Sequence, residues 1–222
     1  MSVGFGWSRF QPGKTRWLFL LARLNYTRLR TQPPDGSVLA FEAHPDVFRL
    51  LKRNVHRIKE SIGVGRVKAH NQAVTNTNEK QFLHCPAIWK GNTGTASLSS
   101  KQSERKMEVS CVRLDDVVEQ EVDVAKIDVE GHEHEVFLGA TTCLNEKRIK
   151  HIIFEDHAPR KSEAIRLLQS MGYELYTLGA KLVGPTVQQG IKGQSYNFIA
   201  TCSPGHLEKQ FSHYRWKCLR ST

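Results

Sequence analysis

The sequence predicts one α/β domain whose sheet is mostly parallel, with an antiparallel strand at its C-terminal edge. From residue 37 onward, short apolar runs typical of buried strands alternate with longer segments of helical periodicity. This alternation is typical of a parallel sheet with helices on both faces. A length of 222 residues suits a single domain with one sizeable core.

The first elements predicted after residue 36 are two strands joined by a helix. SVLAFE (37–42) and RVKAH (66–70) are short apolar runs of strand type. Between them, residues 45–58 begin with Pro45 at a first helical position and continue with apolar residues at helical spacing. We therefore expect a strand, a helix and a second, parallel strand.

The middle of the chain predicts a hairpin insertion over residues 80–112. QFLHC and MEVSCV are strand candidates separated by a loop rich in Gly, Ser, Thr and Asn. After it, LDDVVEQ predicts a short helix, VDVAKIDV a buried strand and HEVFLGATTCL a helix. The insertion lies between two predicted strands, where it would be placed beside an acceptor pocket.

The C-terminal part continues the alternation. HIIFE (151–155) is strand-like, and KSEAIRLLQSM (161–171) has helical spacing closed by Gly172. YELYTL and YNFIAT are the last two strands, and residues 179–195 between them are predicted as a loop. A loop of this length allows the two strands to pair antiparallel at one edge of the sheet.

Composition excludes several classes of protein. The chain is 39% hydrophobic and 24% charged, which is unlike a disordered protein. Its five cysteines include no CxxC pair, so neither a disulfide framework nor a zinc ribbon is indicated. WLFLLARL (17–24) is too short to span a membrane and lacks the cleavage site of a signal peptide. These features predict a cytoplasmic protein without a transmembrane segment.

The net charge of +10 is concentrated at the two ends of the chain, residues 1–70 and 203–222. Residues 1–36 form a divergent N-terminal segment and residues 203–222 a basic tail. The excess of basic over acidic residues has two interpretations. It either keeps the protein soluble or attracts nucleic acid or an acidic partner. No aromatic RNA-binding motif accompanies the basic residues.

Candidate site residues follow the predicted strands, because ligands of open α/β sheets bind at the carboxyl ends of the strands. Glu42 ends the first of these strands and is placed to accept hydrogen bonds from ribose hydroxyls. The alternative interpretation is that Glu42 lies in solvent at the end of its strand and binds no ligand. Asn71 follows the next strand, where it would meet an adenine edge.

The segment DVEGHEHE (128–135) is the most concentrated group of titratable residues. Gly131 permits a sharp turn, and His132 or a neighbouring carboxylate would serve as a general base. The alternative is that Glu133 and Glu135 only favour the start of a helix through its dipole. The HxH spacing is not the i, i+4 pairing of zinc-binding helices, so we predict no metal.

Several of these motifs, taken in order, resemble the FkbM family of S-adenosylmethionine-dependent methyltransferases. They are VLAFEAHPDVFRLLKRNV, NQAV, CVRLDDVV, VAKIDVEGHEHEVFLGA, IIFEDH and MGYELYTL, and they cover about residues 37–178. The resemblance implies a Rossmann-like class I methyltransferase sheet and S-adenosylmethionine as cofactor. It also implies O-methylation of a hydroxyl on a sugar or small natural product, so the expected partner is a small-molecule or glycan acceptor.

The resemblance also implies roles for individual residues. Glu42 would hold the cofactor ribose, while Asn71 and Ala73 would border the adenine. The catalytic candidates, which would lie near the transferred methyl group or help to hold the acceptor, are Asp128, Glu130, His132 and Glu155.

The N-terminus departs from the family pattern. Family members begin with a strand and a glycine loop of the type D-x-G-A-N-x-G, of which Val3, Gly4, Gly6 and Ser8 give a weak echo in MSVGFGWSRF. The first strand and its loop are therefore expected to be degenerate or missing, with KTRWLFLLARLNYTRL as the following helix. Two outcomes stay open: residues 1–10 supply an improvised strand and loop, or the chain is an inactive or truncated binding module.

Overall fold

The computed structural model describes residues 16–21, 36–62, 66–85, 98, 105–181 and 184–212. These residues form an eight-stranded sheet, two two-stranded ribbons and the helices packed on them. The strands are β1 (Arg16–Leu21), β2 (Ser37–Phe41), β3 (Arg66–His70), β4 (Ala73–Val74), β5 (Gln81–Cys85), β6 (Arg105–Val109), β7 (Cys111–Val112), β8 (Val122–Asp128), β9 (Ile149–Glu155), β10 (Glu174–Lys181), β11 (Gly184–Gln189) and β12 (Asn197–Thr201). The helices are α1 (Pro45–Ile62), α2 (Leu114–Val117), α3 (Glu133–Leu138), α4 (Thr141–Asn145), α5 (Glu163–Ser170) and α6 (Pro204–Ser212), and a short 3-10 helix spans Pro159–Lys161.

The large sheet is mixed, with the order β11-β10-β12-β9-β8-β1-β2-β3. Strands β3, β2, β1, β8 and β9 run parallel, while β12 is antiparallel to both β9 and β10. The mostly parallel α/β sheet is as predicted. The position of the last strand is not, because β12 lies inside the sheet and the edge is formed by β11, within the segment predicted to be a loop.

Strand β1 corrects the prediction for the N-terminal region. The residues expected to begin a helix instead form a parallel strand between β2 and β8. A short, continuously apolar run is compatible with either structure, so periodicity does not distinguish them. In the sheet, β1 gives its two neighbours the backbone partners that they would otherwise lack. The first strand is therefore present rather than missing.

Helices cover both faces of the sheet. On one face, Ala125 and Ile127 of β8 belong to a buried cluster with residues of α3, α4 and α5, among them Phe137. On the other face, Val124 clusters with residues of α1 and α6, among them Leu51. The alternation of neighbouring residues of β8 between the two clusters is that of a strand buried on both sides.

Strands β5 and β6 pair antiparallel as a hairpin. Leu83 and Val109 of this hairpin pack with Ala73 and Cys111 in a small third cluster. The hairpin is thereby attached to β4 and β7, which pair parallel to each other. Most of the predicted loop within 80–112 and the end of the basic tail lie outside the described residues.

The helix predicted after β8 is divided into α3 and α4 at Gly139 and Ala140. A Cβ atom on Gly139 would lie 2.0 Å from the carbonyl oxygen of Thr75. The end of α3 therefore approaches β4 more closely than any other residue type would allow. None of the described helices is long and apolar enough to cross a membrane.

Candidate functional site

The carboxyl ends of five parallel strands lie at one level of the sheet. The paired residues at this level, read from β9 to β3, are Phe154, Ile127, Leu20, Phe41 and His70. The next residue along four of these strands is a predicted site residue: Glu155, Asp128, Glu42 and Asn71. The fold thus aligns, along one edge, residues that are up to 113 positions apart (155 − 42) in the chain.

Strand alternation also assigns these residues to a common face. Glu42 follows Ala40 at a spacing of two residues, and Asp128 follows Val124 at a spacing of four. Both Ala40 and Val124 belong to the cluster covered by α1 and α6. Because neighbouring strands are about 4.8 Å apart, the backbones of Glu42 and Asp128 are separated by roughly 10 Å across β1.

Glu42 is buried, with 6% of its surface exposed. Its Oε1 accepts a hydrogen bond of 2.8 Å from the backbone N–H of His44. Burial raises the pKa of Glu42 to about 8, against the smaller lowering effect of that bond. The carboxyl group is therefore mostly protonated at neutral pH in the protein alone.

The side chain of Asn71 stabilises the backbone directly after β2. Its Nδ2 donates to the carbonyl oxygens of Glu42, at 2.8 Å, and Ala43, at 3.0 Å. The next bend is stabilised by His44, whose Nδ1 accepts from the backbone N–H of Asp46 at the start of α1. The backbone around Glu42 is thus held by side chains from both neighbouring elements.

The turn after β8 has a backbone conformation rare for most residues. Glu130 has a φ of 53° and Gly131 a φ of 87°. The buried carboxylate of Glu133 reaches back over the turn, where Oε1 lies 3.4 Å from the backbone N–H groups of both Val129 and Gly131. Glu133 therefore serves the turn itself, in addition to its place in the first turn of α3.

Glu130 is exposed on this turn among other carboxylates. Its pKa is raised by partial burial and then by the charges of Asp128, Glu155 and Glu133, while His157 acts in the opposite direction. These electrostatic contributions place the four acids in one neighbourhood at the end of β8 and β9. A carboxylate with a raised pKa is a stronger proton acceptor than a free one.

His132 is directed towards β4. Its ring is buried, and Nε2 lies 2.9 Å from the hydroxyl oxygen of Thr75. Burial lowers the pKa of His132, so the imidazole is neutral near pH 7. Ala73, two residues before Thr75, is buried in the hairpin cluster. The structure therefore places His132 beside Thr75, two residues after Ala73.

Two side chains at this edge were not selected in the sequence. Lys126 is 9% exposed, and among the described residues its Nζ has no hydrogen-bond partner. The same holds for Nε2 of His70, whose ring stacks on Phe41 with centroids 5.0 Å apart. In the sequence, Lys126 is marked only as a charged residue inside the apolar run VDVAKIDV. It lies two residues after Val124, so both side chains face the same side of the strand.

Gly4 and Gly6 lie outside the described residues. They precede β1 in the chain, whereas Glu42 and Asn71 follow their strands, and Asp128 and Glu155 end theirs. The segment between β1 and β2, residues 22–36, contains one glycine, Gly36, directly before β2.

Comparison with protein families gives a match to the Methyltransferase FkbM domain over residues 23–175. The matched segment contains β2, β3, β8 and β9 together with the candidate residues at their ends. It spans more than half of the chain. The protein belongs to the FkbM methyltransferase family.

Solved structures resemble this FkbM-family chain at low sequence identity. Methyltransferase FkbM from Methylobacillus flagellatus KT matches with a TM-score of 0.54 and 11% identity, covering 87% of this chain and 44% of that one. Precorrin 8W decarboxylase from Methanobacterium thermoautotrophicum matches with a TM-score of 0.39, 12% identity and coverage of 85% and 81%. A putative precorrin-6Y C5,15-methyltransferase domain from Corynebacterium diphtheriae matches with a TM-score of 0.33 and 12% identity. The match covers 83% of this chain and 85% of that one.

The first of these similarities supports a methyltransferase-type fold. The chain spans less than half the length of the Methylobacillus protein that it matches. A search of curated proteins gave no significant match.

Proposed function

We propose that this FkbM-family chain is an S-adenosylmethionine-dependent methyltransferase that methylates a hydroxyl oxygen of a sugar or small natural product. The observation that carries the proposal is the alignment of Glu155, Asp128, Glu42 and Asn71 along the carboxyl edge of parallel strands. In this proposal the sheet is a Rossmann-like class I methyltransferase sheet to which β11 is added at one edge.

The donor and acceptor groups at this edge fit the cofactor. Glu42 is a buried acid with capacity to accept from ribose hydroxyls, and His70 and Lys126 carry buried nitrogens without partners in the described part of the chain. Such groups cost free energy unless a ligand supplies their hydrogen bonds. We assign Glu42 to the ribose, and Asn71 and Ala73 to the border of the adenine. When bound, the cofactor would supply an electrophilic methyl group on sulfur.

The acidic end of β8 and β9 is assigned to the acceptor. Asp128 and Glu155 would orient acceptor hydroxyls or the amino group of the cofactor, since carboxylates accept hydrogen bonds from both. Methyl transfer requires the attacking oxygen to be aligned with the methyl carbon, so this positioning is the main catalytic task.

Glu130 is our first candidate for the general base. It is exposed beside Asp128 and Glu155, and its pKa is raised toward the range useful at neutral pH. His132 is the second candidate, because its neutral imidazole is able to accept a proton. Its bond to Thr75 favours a role in holding the turn on which Glu130 lies.

Calorimetric titration with S-adenosylhomocysteine tests cofactor binding. We expect micromolar affinity for the wild type and a loss of about tenfold or more in Glu42→Gln, because a carboxyl group that ionises on binding accepts with two oxygens, whereas the amide accepts with one. Glu119→Gln, at an exposed position, is the matched control and should bind like the wild type. Equal affinities for all three proteins would remove Glu42 from the site.

Turnover separates the two candidate bases. We expect Glu130→Gln to lower kcat by about 100-fold, the scale of general-base catalysis, while affinity for S-adenosylhomocysteine is unchanged. His132→Gln should lower kcat together with the free energy of unfolding. Unchanged kcat in Glu130→Gln would transfer the role to another group.

A binding module without catalytic activity is the second candidate function. The observation that favours it is the lack of glycine in residues 22–35, where three arginines occur instead: Arg23, Arg28 and Arg30. A folded chain that binds no S-adenosylhomocysteine but binds a random oligonucleotide with a steep salt dependence would establish this alternative.

A further inference from the structure

Lys126 is a buried cation at the edge of the sheet where the candidate site lies. It belongs to β8, next to β1, and pairs in register with Phe19 and Ile153. Its Nζ is buried and reaches to within 3.3 Å of Oδ2 of Asp128, the last residue of the strand. The ammonium group is therefore directed toward the carboxyl end of β8.

The hydrogen-bonding capacity of this ammonium group is unused. It has three N–H donors. The contact with Asp128 is within ion-pair distance but does not have hydrogen-bond geometry, and no other partner occurs among the residues described. A buried charge without hydrogen bonds is costly, and attraction by one carboxylate offsets only part of that cost. An incoming anionic group would supply the missing acceptors.

Lys126 and Asp128 together present one positive and one negative group about 3.3 Å apart. This pair complements the zwitterion of an amino acid, with the ammonium facing the ligand's carboxylate and Asp128 facing the ligand's amino group. Charge-assisted hydrogen bonds of this kind are the strong ones. A sugar hydroxyl is also able to donate to Asp128 and accept from Lys126, but it is neutral and gains less from two charged partners than a zwitterion does.

The pair also has a suitable relation to Glu42. By strand alternation, Lys126, Asp128 and Glu42 face the same side of the sheet, and only β1 separates their strands. A cofactor whose ribose is bound by Glu42 would extend its amino-acid end across β1 to β8. The sequence between β1 and β2 has one glycine, Gly36, directly before β2, and so lacks the D-x-G-A-N-x-G pattern of a glycine loop for that end.

We propose that Lys126 binds the α-carboxylate of the amino-acid end of S-adenosylmethionine, with Asp128 binding the α-amino group. The inference rests on the proposed function, and it assigns to one side chain the task that a glycine loop performs with backbone N–H groups. Lys126 is thus a cofactor-positioning residue, and its effect is on affinity for the amino-acid end alone.

Two ligands separate this role from a general contribution to the fold. S-adenosylhomocysteine carries the amino-acid end, whereas 5′-methylthioadenosine retains the adenine, ribose and sulfur without it. In Lys126→Met we expect affinity for S-adenosylhomocysteine to fall by roughly 10- to 100-fold, the range for a hydrogen bond to a charged group. Affinity for 5′-methylthioadenosine should be unchanged within about twofold. Lys80→Met is the control, since Lys80 is exposed and pairs with Glu108 of the hairpin.

A measurement on the wild type covers the case in which Lys126→Met does not fold. Decarboxylated S-adenosylhomocysteine keeps the amino group and lacks only the carboxylate, so the wild type should bind it roughly 10- to 100-fold more weakly than the parent compound. Equal affinity for the two compounds would overturn the proposal.

The outcomes distinguish the inference from the function on which it rests. If the wild type binds S-adenosylhomocysteine and Lys126→Met binds it equally well, the inference is wrong and the proposed function stands. The inference is also wrong if the variant loses both ligands to the same extent while its unfolding transition is intact. If the folded wild type binds neither S-adenosylhomocysteine nor 5′-methylthioadenosine, both proposals fail.

Discussion

The Nε2 atom of His132 lies 2.9 Å from the hydroxyl oxygen of Thr75, and both residues are buried. This contact joins the turn after β8 to the end of β4, two elements that belong to different sheets. The turn that carries Glu130 is therefore held by a contact with the segment after β4, the strand that packs against the β5–β6 hairpin.

We expect Thr75→Val to lower the free energy of unfolding by about 1–3 kcal/mol, because it removes a buried hydrogen bond without changing the side-chain shape. Urea unfolding measures the change. Thr75→Ser keeps the hydroxyl and is the control, with a loss smaller than that of Thr75→Val. A Thr75→Val variant as stable as the wild type would show that the contact contributes nothing to the fold.

Gly139→Ala should destabilise the protein by more than about 2 kcal/mol. The new Cβ would lie 2.0 Å from the carbonyl oxygen of Thr75, which is a backbone atom and cannot rotate away. Gly205→Ala is the matched control, because a Cβ there meets nothing within 4 Å and alanine favours the helix by up to about 1 kcal/mol. Similar unfolding midpoints for the two variants would contradict the close approach of α3 to β4.

The pH dependence of stability should report the proton on Glu42. The folded-state pKa of about 8 lies above the ordinary glutamate value of 4.5, so between these values the folded protein keeps a proton that the unfolded chain has lost. The contribution of Glu42 to stability is complete below pH 4.5 and is lost as the pH rises through 8, by at most about 1.4 kcal/mol per pH unit.

Glu42→Gln removes this titration. We expect the stability of the variant relative to the wild type to increase from pH 5 to pH 8 and then to level off, as measured by urea unfolding at each pH. A difference that does not vary with pH would mean that Glu42 is ionised in the folded protein.

Ser162 caps the start of α5, where its Oγ accepts from the backbone N–H of Ile165 at 3.0 Å. Ser162→Ala should cost about 1 kcal/mol, whereas Ser162→Asp, which also caps a helix, should be close to neutral. Thermal unfolding of the three proteins makes the comparison. Equal losses in both variants would point to a cause other than the cap.

The order of helices and strands after residue 36 was largely predictable because apolar periodicity is a local property of the sequence. The two errors concern the sheet. Whether a short apolar run such as WLFLL becomes a helix or a strand depends on partners more than a hundred residues away, as Trp17 pairs with Val124. The placement of β12 between β9 and β10 likewise depends on tertiary pairing that no local pattern records.

For the candidate site, sequence order was enough to predict that Glu42, Asn71 and Asp128 lie along one edge of the sheet, because the ends of parallel strands meet there. The contact between His132 and Thr75 was not predictable, since it joins elements separated by the whole hairpin. The burial of Lys126 was not predictable, because a single lysine in an apolar strand is ordinarily a surface residue. Its burial follows from the pairing of β8 with β1 on one side and with β9 on the other.

The central position of β1 has a consequence for the order of folding. Its pairing with β8 closes a loop of more than a hundred residues, which is entropically expensive, whereas β2 with β3 and β8 with β9 pair over shorter separations. Strand β1 also pairs with β2 over a short separation, so the half β1-β2-β3 and the half β8-β9 are each able to assemble before β1 pairs with β8. Glu42 lies on one half and Lys126 with Asp128 on the other, so the proposed cofactor site is completed only at this last step. A ligand that contacts both halves would stabilise their association. It would slow their separation and protect the backbone amides of β1 from hydrogen exchange.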